Sequence, residues 1–274
     1  MALDVLTPGV TVTKFELHVF ELAYVMSLMG VEAVSGLPNA VLFPKDPQLR
    51  SKMLAEGERR LIANGWLTPV NGQGAVYNDK LLSMAAAVAD PRLSILTRRE
   101  SAEGDRADAT IYFNNVEVVE VTQIERQVFR LRELKSAPEA FHRVRKILGV
   151  TPRTEYCNLA FEFRIEVFEK IRRHVAAREL SEAIAELAEA GFALDAAEDF
   201  ATALSTPRRK GTVSVLKHIA HKVTDVKVLG FYLCDSGAWI TSVVSESSNR
   251  VRAESVDTEG FIRRLVDRVA GINS

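Results

Sequence analysis

The two halves of this 274-residue chain can be written over each other, and that repeat constrains the fold more than any other feature. Leu61-Ile62-Ala63-Asn64-Gly65-Trp66-Leu67 stands opposite Leu187-Ala188-Glu189-Ala190-Gly191-Phe192-Ala193. A helical pattern stopped by Asp90-Pro91 stands opposite one stopped by Thr206-Pro207. Leu93 to Thr97 matches Val213 to Lys217, and Phe15-Glu16-Leu17 matches Phe161-Glu162-Phe163. Phe141, Val144 and Ile147 match Phe261, Leu265 and Val269. Gly, Pro and aromatic residues at coincident positions are the trace a duplication leaves, and so long a period excludes a solenoid. The expectation is an α+β, internally duplicated, pseudo-two-fold fold with a central antiparallel sheet flanked by helical bundles. The halves are residues 1–150 and 151–274, packed as one globular unit.

Local patterns fill in each half. Thr13 and Glu16 read as a capping box, and Phe15, Val19, Leu22, Met26 and Met29 recur at helical spacing up to Gly30. Asp46-Pro47 opens a second helix with Leu49, Met53, Leu54, Leu61 and Ile62 on its apolar side. A loop around Gly72 and Gly74 precedes a helix from Lys80 to Ala89. Alternation then takes over, and strands are predicted at Leu93–Thr97, Ala109–Phe113, Glu117–Thr122 and Gln127–Leu134, followed by a helix from Glu139 to Leu148. Four strands with short connections imply an antiparallel meander. The second half gives a strand-like stretch within 154–164, then helices to about Arg178, from Ser181 to Gly191 and from Asp195 to Leu204. Strands follow at Gly211–His218, Asp225–Cys234, Ala238–Val244 and Arg250–Val256, with Asp235-Ser236-Gly237 as a turn and Thr258–Ala270 as a closing helix.

Composition removes whole classes of function. Net charge is -1, so no global field draws the chain to nucleic acid or an anionic membrane. No stretch approaches the ~18 apolar residues of a membrane span. The start, MALDVLTPGV, lacks a basic region followed by an apolar run, so no secretory leader is expected. Cys157 and Cys234 allow at most one disulfide; their apolar, strand-like neighbours favour buried thiols in a cytosolic protein.

No catalytic motif stands out. Gly72-Gln73-Gly74 lacks a preceding strand and a third glycine, so it is a poor dinucleotide fingerprint. His218 and His221 would point to opposite faces of a strand, which argues against a metal pair. An enzyme with acids such as Glu162 and Glu166 in a cleft is the alternative, and a nucleic-acid binder using the arginines of the first meander is another. The basic runs, such as Arg126 to Lys135, are interleaved with Glu125, Glu133 and Glu139, which fits solvated faces better.

The order of signals resembles the EspG family, cytosolic chaperones of type VII (ESX) secretion systems. The resemblance rests on Thr11-Val12-Thr13-Lys14-Phe15-Glu16-Leu17, on Leu28-Met29-Gly30 with Leu37-Pro38 after it, and on Leu61 to Leu67. It continues through Leu81-Leu82-Ser83-Met84 to Ala89-Asp90-Pro91-Arg92-Leu93, then Gly191-Phe192, Ala196 to Leu204, Pro207 and Gly211. It implies no enzyme activity, no cofactor, a cytoplasmic location and, as partners, secreted helical PE–PPE-type clients. In that family the loop between the first two strands of the N-terminal meander and the C-terminal helical bundle contact the client. Carried over, the loop is Arg98 to Arg106, with Arg98, Arg99, Glu103 and Arg106 as a polar rim. The bundle includes Ser181 to Leu204, with Leu187, Phe192, Leu194 and Phe200 as apolar contacts.

Overall fold

A computed structural model describes residues 13–70, 74–150, 159–235, 237–244 and 249–273. Gly72, Gln73, Cys157, Ser236 and residues 154–158 of the expected strand lie outside the described residues. The first half of the chain runs β1 (Lys14–His18), α1 (Val19–Leu28), α2 (Asn39–Leu42), α3 (Pro47–Ala63), β2 (Leu67–Val70), β3 (Gly74–Tyr77) and α4 (Asp79–Ala89). It continues with β4 (Leu93–Ser101), β5 (Arg106–Phe113), β6 (Val118–Glu125), β7 (Val128–Leu134) and α5 (Ala137–Leu148). The second half runs β8 (Ala160–Arg164), α6 (Ile165–Ala177), α7 (Leu180–Glu189), α8 (Leu194–Ser205), β9 (Arg209–Ile219) and β10 (Lys222–Leu233), then β11 (Ala238–Val243), β12 (Arg250–Val256) and α9 (Thr258–Asn273). Ten strands form one antiparallel sheet in the order β1-β7-β6-β5-β4-β9-β10-β11-β12-β8, so the fold is α+β.

Backbone contacts group the chain into two compact units. The first comprises Met1–Arg92 and Ile111–Ala137, the second Leu93–Thr110 and Pro138–Ser274. β4 falls with the second unit because it pairs with β9 along its whole length, from Leu93↔Lys217 to Ser101↔Arg209.

In the first unit the chain opens as a strand, where a helix is expected. β1 pairs with β7, and Phe15 and Leu17 alternate into the core. Period-two burial wins there because β7 supplies backbone partners that a helix would leave unused. The capping box lies five residues on, at His18 and Glu21. His18 Nδ1 accepts the Phe20 amide at 3.2 Å, and the Glu21 carboxylate accepts the His18 amide at 2.6 Å. Glu21 is buried and also accepts Asn64 Nδ2 at 2.7 Å, which ties the start of α1 to the end of α3. Asp46 caps α3 by accepting the amides of Gln48 and Leu49, with Pro47 at the first turn. Met53 and Leu61 are buried, but Leu49 and Ile62 are exposed, so the apolar side of α3 is narrower than expected. Gly57 lets α3 approach α1 closely: a Cβ there would sit 2.2 Å from the Phe20 carbonyl oxygen. β2 and β3 pair antiparallel, Leu67↔Tyr77 to Val70↔Gly74, on either side of the expected glycine loop. The core gathers Leu17, Leu22, Met26, Met84, Tyr112, Val121 and Leu131.

In the second unit α6, α7 and α8 form a helical bundle. Phe163, Ile171, Leu187, Phe192, Phe200 and Trp239 make its core. Phe231 of β10 meets Phe261 of α9 at 5.8 Å. Cys234 is buried, with Sγ 3.3 Å from the Gly237 carbonyl.

Matched positions of the repeat behave alike within their own units. α3 closes on Gly65 at φ 71°, with the Trp66 amide donating to the Leu61 carbonyl at 2.9 Å. α7 closes on Gly191 at φ 96°, with the Phe192 amide donating to the Leu187 carbonyl at 3.0 Å. Both are helix ends that need a left-handed residue, which glycine supplies without a Cβ clash. Trp66 then packs edge-on against Phe15 at 5.7 Å, and Phe192 stacks on Phe161 at 3.8 Å.

Candidate functional site: a groove at the first meander turn

Strands β4 and β5 extend further than expected, so most of Arg98 to Arg106 is strand and the turn itself is residues 102–105. The turn closes with the Ser101 amide on the Asp105 carbonyl at 2.8 Å and the Gly104 amide on the Ser101 carbonyl at 3.0 Å. Gly104 sits at φ 83°, which is why glycine stands there. The Ala102 amide donates to the Arg208 carbonyl at 3.0 Å and anchors the turn to the start of β9.

Beside this turn lies a groove of 540 Å³, lined by Arg98, Arg99 and Glu100 of β4, Arg106 and Asp108 of β5, Lys210, Gly211 and Thr212 of β9, and Tyr232 of β10. Strand register explains the assembly. Glu100 pairs with Lys210 and Arg98 with Thr212, and Lys210 pairs in turn with Tyr232. Residues directly opposed across strands share a face. Charges alternate along the walls: Arg98–Asp108 at 3.5 Å, Arg106–Glu100 at 3.6 Å and Lys210–Glu100 at 3.7 Å. Arg99 pairs with Asp105. Its side chain is only 15% exposed, and its Nε is buried without a hydrogen-bond partner among the described residues. Arg98 and Arg106 are each 77% exposed, so their ion pairs leave most of each guanidinium in water. Such exposed pairs contribute about 0–1 kcal/mol each, so the groove's charges are available to a partner.

Gly211 forms the floor. It pairs with Arg99, and a Cβ would meet the Arg98 carbonyl oxygen at 2.2 Å. Tyr232 links the groove to the bundle, because its ring packs on the bundle core. Burial pushes its hydroxyl pKa up, against the field of Arg172 on α6 and a hydrogen bond with Thr241. Four cations face two carboxylates in the lining, so the groove as a whole favours an anionic or mixed polar surface.

The structure brings Arg98, Arg99 and Arg106 together in this groove. Glu103 stands at the turn tip, exposed. Its carboxyl is held below the usual range by a backbone hydrogen bond first, then by the Ser101 side chain and the fields of Arg209 and Arg208. The apolar set requires correction. Leu187, Phe192 and Phe200 are buried in the bundle core and present no surface, because each fills space between its own helices. Phe200 lies 4.8 Å from Trp239 and 6.0 Å from Phe192. Leu194, at the first position of α8, is 61% exposed. Glu100, Asp108, Lys210 and Tyr232 escaped sequence reasoning, because only the side-by-side order β5-β4-β9-β10 sets them in one place.

The alternative readings meet specific geometry. Glu166 accepts Asn249 Nδ2 at 2.5 Å and is held below the usual carboxylate range, chiefly by a backbone hydrogen bond and then by Asn249. A general acid at neutral pH needs the opposite shift. Glu162 lies 3.5 Å from Arg252. His218 is buried with its Nε2 2.8 Å from Ser94 Oγ, whereas His221 sits in the β9–β10 turn at φ 63°. Among the described residues there is no cluster of three His, Cys, Asp or Glu side chains suited to a metal. Arg130 and Arg132 of the first meander pair with Glu16 at 2.8 Å and Glu120 at 3.9 Å, so acids answer these arginines. Among the described residues no helix is long and apolar enough to cross a membrane.

The ten-stranded antiparallel sheet and its helical bundle make an EspG-like fold. The solved structure of the Mycobacterium tuberculosis type VII secretion system chaperone EspG5, in complex with a PE25–PPE41 dimer, matches 93% of this chain and 96% of its own at a TM-score of 0.69 and 11% identity. No family model matches the sequence, and no curated protein is similar to it at the sequence level.

Proposed function

We propose that this chain is a cytoplasmic secretion chaperone that holds a helical PE–PPE-like heterodimer soluble and presents it to a type VII secretion system. The observation that carries the reading is the fold likeness to EspG5, which runs over nearly the whole of both chains. The groove at the first meander turn is the client-facing surface in this reading. Arg98, Arg99, Glu103 and Arg106 are its polar rim, and Leu194 is the apolar contact on the bundle. Binding needs neither catalysis nor a cofactor. A mixed rim of exposed charges suits a client that must be let go, since such contacts speed encounter more than they slow departure. The matched closures at Gly65 and Gly191 support descent of both halves from one ancestor.

Co-expression with a PE–PPE-type heterodimer from the same organism tests the reading. The wild-type chain should co-elute with the pair at near-equimolar ratio. Arg98→Glu combined with Arg106→Glu should weaken that binding at least tenfold while far-UV circular dichroism is unchanged. A wild-type chain that elutes alone refutes the chaperone reading. Full binding by the double variant refutes the assignment of the surface.

A further inference from the structure

A second cavity, of 270 Å³, lies in the second unit between α9 and the strands β8, β10 and β12. Its charges are unevenly matched. Glu254, whose side chain is 8% exposed, accepts Arg264 Nη2 at 2.7 Å and Arg252 Nε at 3.3 Å. Arg252 Nη1 also reaches Glu162 at 3.5 Å, and Arg264 Nη1 reaches Asp267 at 3.5 Å. Two arginines thus engage every carboxylate in the lining. Arg268 lines the same cavity, half-buried, with no hydrogen bond or ion pair to its guanidinium among the described residues. It stands one helical turn from Arg264, so two like charges share one side of α9, an arrangement that disfavours the helix. Burial pushes its pKa down; Arg264 and Arg252 add to that, while Glu254 and Asp267 oppose it. A guanidinium offers five N–H donors and does not deprotonate in proteins, so this half-buried one keeps donors open to a ligand, its desolvation offset only in part by the fields of Glu254 and Asp267. Lys227 brings a further ammonium to the lining, with only a 3.8 Å contact to Asp225. The lining holds four cations against three anions.

We propose that this cavity is a binding site for a small phosphate-type oxyanion, with Arg268 as the anchor and Lys227 as the second cation. A planar fork and a point charge are the usual pairing for a tetrahedral oxyanion. The volume is below the range of about 300–1,000 Å³ of drug-sized pockets, which limits the occupant to phosphate or a small phosphate ester. The cavity borders the C-terminal part of α9, where the helix dipole opposes an anion, so the side-chain cations supply the attraction. The site owes nothing to the chaperone reading and stands or falls separately.

The test is a titration of the full chain with inorganic phosphate, followed by isothermal calorimetry and by the thermal midpoint. Sodium chloride at matched ionic strength is the control, and glycerol 3-phosphate is a second arm. Saturable binding of phosphate at low millimolar concentration is expected. Tighter binding of the ester identifies a small organic phosphate as the occupant, and equal binding identifies phosphate itself. Arg268→Gln removes no internal bond, so it folds, and should weaken either ligand at least tenfold. Arg268→Lys should retain part of the affinity. No phosphate heat above the chloride control overturns the site. So does an undiminished response in Arg268→Gln.

Discussion

Replacing Gly57 with alanine sets two opposed effects against each other. Gly57 lies inside α3, and alanine in a helix interior is worth about 1 kcal/mol more than glycine. The added Cβ, however, would stand 2.2 Å from the Phe20 carbonyl oxygen and 3.0 Å from Tyr24 Cβ. The first contact is roughly 1 Å short of ordinary van der Waals approach, and the atom met is backbone, which has no rotamer to turn away. Relief requires α1 and α3 to separate, and overpacking of this kind costs about 1–3 kcal/mol. With backbone as the atom met, the steric cost falls in the upper part of that range, so Gly57→Ala should destabilise the first unit by up to about 2 kcal/mol. Gly271, in α9, meets nothing within 4 Å, so Gly271→Ala should be neutral or stabilising by up to about 1 kcal/mol. Native-state hydrogen exchange is the suitable assay, because it reads α1 and α3 separately from α9. A Gly57→Ala chain with equal or better protection in α1 and α3 would refute the close approach of the two helices.

Two further substitutions divide surface from core in the bundle. Phe200→Ala should cost about 3–5 kcal/mol, because the ring is fully buried among Phe163, Phe192 and Trp239. Leu194→Ala should stay within about 0.5 kcal/mol in urea unfolding, and the reverse ranking would mean that α8 is rotated about its axis. Acid stability should register Glu56, whose carboxyl Arg59 first and then Arg60 hold down from 4.5 to about 2. A depressed pKa contributes stability above the unfolded value, and that contribution is lost as pH falls from 4.5 towards 2. Glu56→Gln should therefore lower the thermal midpoint at pH 6 and match wild type near pH 2; a gap of constant size across that window would contradict the pairing.

Much of the fold was legible because its signals are local. Asp46-Pro47 fixes the start of α3, Gly65 and Gly191 mark helix ends, and the alternation from Leu93 onward gives β4. β1 was not legible, because Phe15 and Val19 fit a helical spacing as well as Phe15 and Leu17 fit a strand. The choice depends on β7, more than a hundred residues away in sequence, whose Leu131 pairs with Phe15. Arg98, Arg99 and Arg106, which the family resemblance singled out, line one wall of the groove. Its far wall was not legible, since Lys210 reaches Glu100 only through the β4–β9 register. The family resemblance offered Leu187, Phe192 and Phe200 as apolar contacts, but apolarity is silent on whether a residue's own neighbours or a partner fills the space beside it. That is decided by α6 and by β8, β11 and β12, which close over them.

The glycine at the bottom of the groove bears on how such a protein changes over time. At Gly211 any side chain would collide with main chain, so the depth of the groove is written in backbone and resists drift by single substitutions. Its walls are different: Arg98, Arg106 and Lys210 are exposed, and each can change sign without disturbing the strands beneath. Across a lineage the trough would persist while its banks are recoloured.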